Sequence, residues 1–344
     1  MKRLFALAFL FVFCLSLVAC GGDDAPEKTV EVIPSKIPRL MAITDQKNDE
    51  IIVVDLNKSD ITKSSAIVWQ WSPKQKGDVD YANRSGSRLD DAKLRNCDVW
   101  GGAVVGVTSS SGLVALISYP SGDCLFNADA SGYGPHSIEI LPNGLIAVAC
   151  SGNSNSDRGE IRIYRASSKT DPHYVSIPLK SAHGVVWDPQ NECLWGLGQS
   201  ELNAYEVGGV RADPSITQLS GIGVGVPPGG HDLSAVYGNP DRLWITTATT
   251  VLQYSKADNK LYYDYEFRAK IDKGSVKSIN SFSDGTVVFA IADPNNKTAN
   301  HNTNVVRRID RAIDVDGSEI LYYNEVVFEK RDFYKVRIFD VAYQ

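Results

Sequence analysis

Short apolar segments separated by turn residues recur along almost the whole chain. Runs of Val, Ile, Leu, Tyr and Trp return every eight to fifteen residues, with Gly, Asn, Asp or Pro between them. Beyond the N-terminal segment, no stretch keeps the period of an amphipathic helix. The pattern therefore predicts an all-β chain.

Three segments repeat one another closely. Each begins with a histidine, continues as an apolar strand, turns, and returns as a second apolar strand. The histidines are His136, His183 and His231, spaced 47 and 48 residues apart, which is a typical period for a propeller blade. The segments are GPHSIEILPNGLIAVAC (134–150), SAHGVVWDPQNECLWGLG (181–198) and GGHDLSAVYGNPDRLWITT (229–247).

Taking each histidine segment as the inner part of a four-stranded blade divides the rest of the chain. A double-sheet sandwich would not explain the self-similarity, whereas six blades account for it, and seven would require splitting the long segment of the last blade. The predicted boundaries are blade 2 within 90–130, blade 3 at 136–180, blade 4 at 183–228, blade 5 at 231–272, and blade 6 from 276–292 to 322–329.

The N-terminal blade has only three predicted strands, LMAITDQ, EIIVVDL and AIVWQWS, and the C-terminal segment 333–344 is one unmatched strand. Adding that strand to the first blade closes the ring and removes the open sheet edges. We therefore predict a six-bladed β-propeller at 37–344, closed by its C-terminal strand.

The first residues have the order of a bacterial export signal. Lys2 and Arg3 precede the apolar run Leu4–Leu17, and the segment LVAC ends at Cys20. This ending resembles the lipobox of bacterial lipoproteins, and the resemblance implies cleavage after residue 19 and lipid on Cys20. The alternatives are a plain secretory peptide and an uncleaved anchor helix.

By this resemblance 1–19 is a signal peptide, and 20–36 is a flexible tether that joins the propeller to lipid in a membrane. The pair Asp23-Asp24 resembles the export tags of some surface-exposed lipoproteins. We therefore expect an outer-membrane lipoprotein of the cell envelope.

Composition narrows the range of partners. The net charge is −6, without a basic stripe, which argues against nucleic acid. Oligomeric state has no clear signal in the sequence. Four cysteines lie beyond the predicted lipid site, and in an oxidising envelope they can form one or two disulfides; a zinc site is disfavoured because they are widely spaced. They are Cys97, Cys124, Cys150 and Cys193.

Aligning the blades on their turns extends the histidine pattern into a ring. His136 lies eight residues before Gly144, and Lys277 lies eight before Gly285. The same offset from Gly101 gives Lys93, with Arg95 two residues further on. The closing strand offers Lys335 and Arg337. The ring then has three histidines and three cationic positions, and His301, in the polar loop 295–304, is a candidate accessory.

This ring predicts binding of an anionic small molecule or saccharide. Three imidazoles can hold one divalent ion, such as Mn, Zn or Ca, and leave positions open for substrate. Lys277 or Arg337 would pair with a carboxylate, and a uronic-acid sugar is such a ligand. As an enzyme the protein would be a metal-assisted lyase or hydrolase, with its catalytic residues among His136, His183, His231, Lys277 and Arg337. Lys93, Arg95, Lys335 and His301 would contact the ligand.

The alternative is a non-catalytic binding or scaffold propeller. Gly230-His231 resembles the Gly-His latch of WD-type propellers, in which the imidazole holds strands together. Against a latch, a lysine at the equivalent position could only donate hydrogen bonds.

The overall pattern resembles envelope lipoproteins of the β-propeller class, over most of the chain after the signal. More distantly, a propeller with axial histidines is similar to oligogalacturonate lyases, whose site holds manganese through three histidines and a glutamine. That resemblance implies a metal on His136, His183 and His231.

Overall fold

The alternating apolar segments form antiparallel strands that pair with their neighbours in the chain. The structure is a computed structural model, and it describes residues 31–32, 38–76, 84, 86, 88–153, 156–171, 173–314 and 316–343. Within these residues the strands form six sheets around one axis. The signal peptide, Cys20 and the remainder of the predicted tether lie outside the described residues, except Glu31–Val32 (β1), which pairs with the last blade.

Five blades have four strands, and blade 6 has a fifth because β1 pairs with its third strand. The innermost strand comes first in all blades but blade 1. Blade 1 contains β2 (Leu40–Asp45), β3 (Glu50–Asp55) and β4 (Ile67–Trp71). Blade 2 contains β5 (Leu89–Cys97), β6 (Gly102–Ser109), β7 (Leu113–Ser118) and β8 (Cys124–Asp129). Blade 3 contains β9 (Pro135–Ile140), β10 (Ile146–Cys150), β11 (Glu160–Tyr164) and β12 (Tyr174–Pro178).

The second half of the chain repeats the arrangement. Blade 4 contains β13 (Gly184–Asp188), β14 (Cys193–Leu197), β15 (Glu201–Val210) and β16 (Asp213–Gly225). Blade 5 contains β17 (Asp232–Ala235), β18 (Arg242–Thr246), β19 (Val251–Ser255) and β20 (Lys260–Tyr262). Blade 6 contains β21 (Val276–Ser281), β22 (Val287–Ile291), β23 (Val305–Ile313) and β24 (Glu319–Val327).

The last strand, β25 (Phe333–Ile338), joins the first blade. It pairs with β2 and becomes the innermost strand of blade 1, in the order β25, β2, β3, β4. The predicted closure and the count of six blades are both confirmed. Helical segments are short: α1 (Arg268–Ile271) and the 3-10 turns Ser64–Ala66, Pro73–Lys76, Asp98–Trp100 and Ser156–Arg158.

Apolar side chains fill the spaces between neighbouring blades. Six buried clusters alternate with the six blades, and each contains residues from both blades that flank it. The cluster between blades 6 and 1, for example, packs Phe282 and Val288 against Ile43 and Val336. Burial of this apolar surface fixes the blades radially around the axis.

Short polar side chains join the inner strands, whose axial edges have no further strand to pair with. Asp91 accepts the Ile138 N–H at 3.3 Å, and Asp232 accepts the Ile279 N–H at 3.2 Å. Such contacts satisfy N–H groups that a sheet edge would otherwise leave open. Blade 4 has Gly184 at this position, where an added Cβ would lie 2.6 Å from the Cβ of Leu233.

The axis itself is closed by buried ion pairs. Arg337 reaches from the closing strand to Asp91 at 2.6 Å and to Asp232 at 2.7 and 2.5 Å. Arg95 holds Glu139 through two nitrogens, at 2.7 and 2.9 Å. Burial alone would raise the pKa of Asp91, but Arg337, Lys93 and Lys335 hold it well below its usual range.

The four described cysteines are free thiols, so no disulfide forms among the described residues. They lie in or at the ends of four different strands, β5, β8, β10 and β14, and the expectation of one or two disulfides among them is wrong. Burial raises the pKa of Cys150 to about 12. None of the helices in the described ranges has the length and apolarity that a membrane crossing requires.

The axial ion pairs predict a large effect of one substitution. Arg337→Met leaves two buried carboxylates without their shared partner, and we expect the free energy of unfolding to fall by about 3–5 kcal/mol. Urea unfolding measures it. The control is Arg311→Met, which removes an exposed pair with Glu319 and should cost no more than about 1 kcal/mol. Equal losses in the two variants would contradict the role of Arg337.

Candidate functional site

In four of the six blades, the residue at the mouth of the inner strand is part of a β-bulge. In blade 2, Leu89 pairs with Ser109 and Asp91 pairs with Thr108, which leaves Asp90 between them without a partner. A bulge of this kind turns one side chain away from its ordinary face of the sheet. Asp90 therefore faces the end of the axis rather than the space between blades.

The same irregularity recurs around the ring. Register shifts isolate His136 in β9 and Lys277 in β21, and another leaves an extra residue in β25 at 334–335. His183 and His231 stand just before their strands, and each N–H donates to a carbonyl opposite the next residue of the strand. The equivalent positions of the six blades are Asp90, His136, His183, His231, Lys277 and Tyr334.

This register corrects part of the predicted ring. Lys93 and Lys335 are not the equivalents of the histidines; Asp90 and Tyr334 are. The reason in blade 2 is the 3-10 turn Asp98–Trp100, which adds three residues between the strand and Gly101 and so shifts any count made backward from that glycine. No turn follows the closing strand from which the position could be counted. The predicted residue, Lys335, is therefore one position beyond Tyr334, which the structure places in the ring.

The ring surrounds the floor of an open polar cavity of about 630 Å³. Its walls come from the inner strands and from the loops between second and third strands, which contribute Ser110, Ser151 and, in the polar loop 295–304, His301. The lining residues beyond the ring are Arg88, Ser110, Ser111, Ser151, Asn153, Ser181 and His301. The cavity has the size of a typical small-molecule site.

The three histidines are neighbours in this cavity. The rings of His136 and His183 stack, with centroids 4.4 Å apart and planes 12° apart. The ring of His231 meets His183 edge-on, with centroids 5.3 Å apart. His301 packs perpendicular to Tyr334 at 5.6 Å. The structure thus brings together the three predicted histidines, Lys277 and His301.

Hydrogen bonds determine which ring nitrogens remain available. His183 Nδ1 lies 2.8 Å from the carbonyl of Ser181, so Nδ1 carries the proton and Nε2 is an acceptor. Lys277 Nζ donates to His231 Nε2 at 3.0 Å. Nε2 is therefore the acceptor nitrogen of both imidazoles: in His231 it accepts from Lys277, and in His183 it can accept from a ligand.

Burial and nearby cations keep these imidazoles neutral. Burial, followed by His136 and His231, holds the pKa of His183 well below its usual range. Burial and the ammonium of Lys277 lower the pKa of His231 to about 3. Burial also lowers the pKa of His301. His183 and His231 therefore carry little charge at neutral pH.

Lys277 is the basic member of the ring. Burial and the charge of Lys335 below it lower its pKa to about 8. Among the described residues, no carboxylate lies within ion-pair distance of its amine. Asp90 is the acidic member: its Oδ1 lies 3.4 Å from His136 Nδ1, and its other oxygen accepts the Ser110 N–H.

The remaining predicted ligand contacts lie below the cavity. Lys93, Arg95, Lys335 and Arg337 are buried in the axial ion pairs and do not line the cavity. Lys335 Nζ lies 3.2 Å from Asp232 Oδ1 and donates to the carbonyl of His136 at 3.3 Å. The physical reason is that buried carboxylates of the inner strands need cationic partners, and these four cations supply them. They therefore do not contact a ligand directly, and they act on one only through the electrostatic potential of the cavity.

The site residues that the sequence reasoning missed are Asp90, Tyr334 and Arg88. Their signal was the strand parity: Asp90-Asp91 and Tyr334-Lys335 are dipeptides in the same position as His136-Ser137 and Lys277-Ser278. The second residue of each pair faces the axis, and the first faces the cavity. Arg88 lies two residues before Asp90, as Ser181 lies two residues before His183, but no other blade has a cation at this position.

The contacts between blades that a latch would make belong to the second residue of these pairs. Ser137 Oγ accepts the Val185 N–H, and Ser278 Oγ accepts the Val336 N–H. The histidines instead contact Ser181, Lys277 and one another. This arrangement favours a site over a latch.

The ring as it stands does not fit a metal ion. Lone pairs of the stacked His136 and His183 rings run side by side, whereas a common ion needs them to converge at about 2.0–2.2 Å. The ammonium of Lys277 occupies the Nε2 side of His231. Within the described residues, no three His, Cys, Asp or Glu side chains form a group that could hold a metal. His136, His183 and His231 therefore do not have the arrangement that the predicted metal site requires.

Comparison with known proteins identifies a family for this chain and a similar fold, and it shows no activity for this chain. A family model, described as a family of unknown function (DUF6528), matches residues 1–317. No curated protein matches the sequence. Of the solved structures, a functionally unknown protein from Desulfotomaculum acetoxidans DSM 771 is 12% identical, with a TM-score of 0.48, covering 83% of this chain and 79% of its own.

A candidate 6-phosphogluconolactonase from Bacteroides uniformis ATCC 8492 is 13% identical, with a TM-score of 0.51, and the match covers 87% of this chain and 99% of that one. At this identity the likeness shows the fold alone.

The low pKa of His231 predicts acid sensitivity. The unfolded chain binds a proton near the ordinary pKa of 6.5 and the folded ring does not until about 3, so stability falls as pH falls through this range. Between pH 7 and 5 we expect His231→Gln to lose less stability than wild type, by at most about 1.4 kcal/mol per pH unit. Urea unfolding at both pH values measures it. His173→Gln, at an exposed imidazole, is the control, and equal losses in His231→Gln and wild type would refute the assignment.

Proposed function

Because this chain belongs to DUF6528, a family of unknown function, we propose its function from the chemistry of the ring. The cavity binds an anionic, polyhydroxylated small molecule of the sugar-acid class, such as a uronic acid or its oligomers. The observation that carries the proposal is Lys277, an amine that contacts the neutral imidazole of His231 and has no carboxylate partner among the described residues.

Two cationic side chains of the cavity can bind the anionic group of the ligand. Lys277 and Arg88 both line the cavity, and Lys335 adds positive charge beneath the ring. Among the described side chains on the axis, four cations face three carboxylates, so the floor of the cavity carries net positive charge. In a partly buried site this field favours an anion.

The remaining wall suits hydroxyl groups and the apolar face of a sugar ring. His183 Nε2 accepts hydrogen bonds, and Ser110, Ser151 and Asn153 can both donate and accept. The stacked rings of His136 and His183 and the ring of Tyr334, 6.0 Å from His136, add apolar faces to the lining. A ligand with one acid group and several hydroxyls therefore finds a partner for each kind of group.

Turnover of such a ligand is the second candidate function. Elimination beside a carboxylate needs its charge neutralised and a base near the adjacent proton. Lys277 or Arg88 would supply the first, and the Asp90–His136 pair, 3.4 Å apart, would supply the second. No step of this proposal passes through a metal.

We also propose that lipid on Cys20 tethers the propeller to the outer membrane of the cell envelope. The support is the sequence Leu17-Val-Ala-Cys20 behind an apolar run with basic residues before it. Several acyl chains give far more durable attachment than one.

The binding proposal predicts selectivity for acid over neutral sugar. D-galacturonate should bind measurably more tightly than D-galactose in titration calorimetry, because only the acid engages Lys277 and Arg88. Lys277→Met should weaken galacturonate binding by about 10- to 100-fold, since a hydrogen bond to a charged group contributes about 1.5–3 kcal/mol.

Lys63→Met, at an exposed lysine of the first blade, is the matched control and should bind as wild type does. Each titration is repeated with a chelator, which should change nothing. Equal affinity for the two sugars would sink anion selectivity, and absence of binding by galacturonate and its oligomers would favour the scaffold alternative.

The anchoring proposal predicts the fate of a Cys20→Ser variant. We expect it to leave the membrane fraction, because no acyl chain can be attached, whereas Cys14→Ser within the signal segment should remain there. Mass spectrometry of the N-terminal peptide checks the modification, and an unmodified Cys20 in the membrane-bound protein would contradict it.

A further inference from the structure

The amine of Lys277 has an unusual set of neighbours for a lysine in a ligand cavity. It is mostly buried, and its nearest described hydrogen-bond partner is the neutral imidazole of His231, 3.0 Å away. An imidazole nitrogen at this distance can take a proton from the amine and return it. A lysine that only held an anion would need no such partner.

The surroundings also favour the uncharged amine. Burial and Lys335 lower the pKa of Lys277 to about 8, so an appreciable fraction of the amine is unprotonated near neutral pH. Lysines desolvated beside another cation are the ones that act as nucleophiles toward carbonyl groups. The other lysines on the axis, Lys93 and Lys335, are engaged with Glu139 and Asp232.

We propose that Lys277 forms an imine with a carbonyl group of the bound sugar acid, with His231 as the proton shuttle. The inference rests on the proposed function, because the acid group, held by Arg88, is what brings the ligand into the cavity. A uronic acid in its open-chain form carries both groups, an aldehyde and a carboxylate.

The step balances as follows in atoms and protons. The uncharged Lys277 nitrogen attacks the carbonyl carbon, a C–N bond forms, and one N–H proton passes through His231 Nε2 to the oxygen, which becomes a hydroxyl. The second N–H proton passes through His231 Nε2 to that hydroxyl as it departs, so both protons of the amine leave in the water. The C–O bond breaks, water leaves, and a C=N bond remains, without any oxidant or reductant.

Reductive trapping of the full-length protein tests the imine. Cyanoborohydride, a hydride donor, converts an imine to a stable secondary amine, which peptide mass spectrometry locates. Three matched probes separate the requirements: D-galacturonate has acid and aldehyde, galactarate has acid only, and D-galactose has aldehyde only. We expect an adduct on Lys277 with galacturonate, none with galactarate, and a much slower one with galactose.

Two comparisons keep background glycation apart from the proposed reaction. The exposed Lys63 reports the background rate within the same sample, and Lys277→Met should lose the adduct at this site while Lys63 keeps its own. His231→Gln, which keeps a polar side chain, should slow the trapping at Lys277 without abolishing galactarate binding.

The outcomes distinguish this proposal from the one it rests on. Calorimetric binding of galacturonate with no more adduct on Lys277 than on Lys63 would overturn the imine and leave anion binding intact. Absence of binding by both acids would overturn the binding proposal. Trapping of galactose on Lys277 as fast as galacturonate would support the imine and refute anion selectivity.

Discussion

The shared guanidinium of Arg337 is the interaction on which both the closure and the site depend. It lies on the strand that closes the ring and binds carboxylates of blades 2 and 5 across the axis. Burial alone would lower its pKa, but Asp232 and Asp91 hold it well above its usual range. A buried charge of this kind is tolerated only with such partners, so the C-terminal strand cannot leave the axis without uncovering two carboxylates.

The same cluster sets the electrostatics of the cavity above it. Burial, and then the charge of Lys335 beneath the ring, lower the pKa of Lys277, and burial, Lys277 and Lys335 lower the pKa of His231. The imidazole of His231 is a neutral acceptor for these reasons, and the amine of Lys277 is only weakly basic. The buried ion pairs on the axis thus have two roles. They stabilise the fold, and their charges help to set the pKa values of the side chains that line the cavity.

Blade spacing and the β-bulges explain why four of the six ring positions are predicted by the sequence and two are not. The three histidines and Lys277 lie 10 or 11 residues before the second strand of their blades, so the repeat aligns them correctly. In blade 2 the 3-10 turn Asp98–Trp100 lengthens that spacing, and the alignment selected Lys93 in place of Asp90. Asp90 and Tyr334 carry no resemblance to histidine, and only the shared bulge shows that they occupy the same position.

The sequence by itself determined the all-β class, the six blades and the closure by the last strand, because strand length, turn residues and the number of strands are local properties. It also determined that His136, His183, His231 and Lys277 share a mouth, because a repeat places equivalent residues in equivalent positions. The tertiary structure decided which cations face a ligand and which neutralise the protein, since that depends on distances across the axis. It also decided how the imidazoles lie, stacked and hydrogen-bonded rather than converging, because side-chain orientation follows from packing between blades.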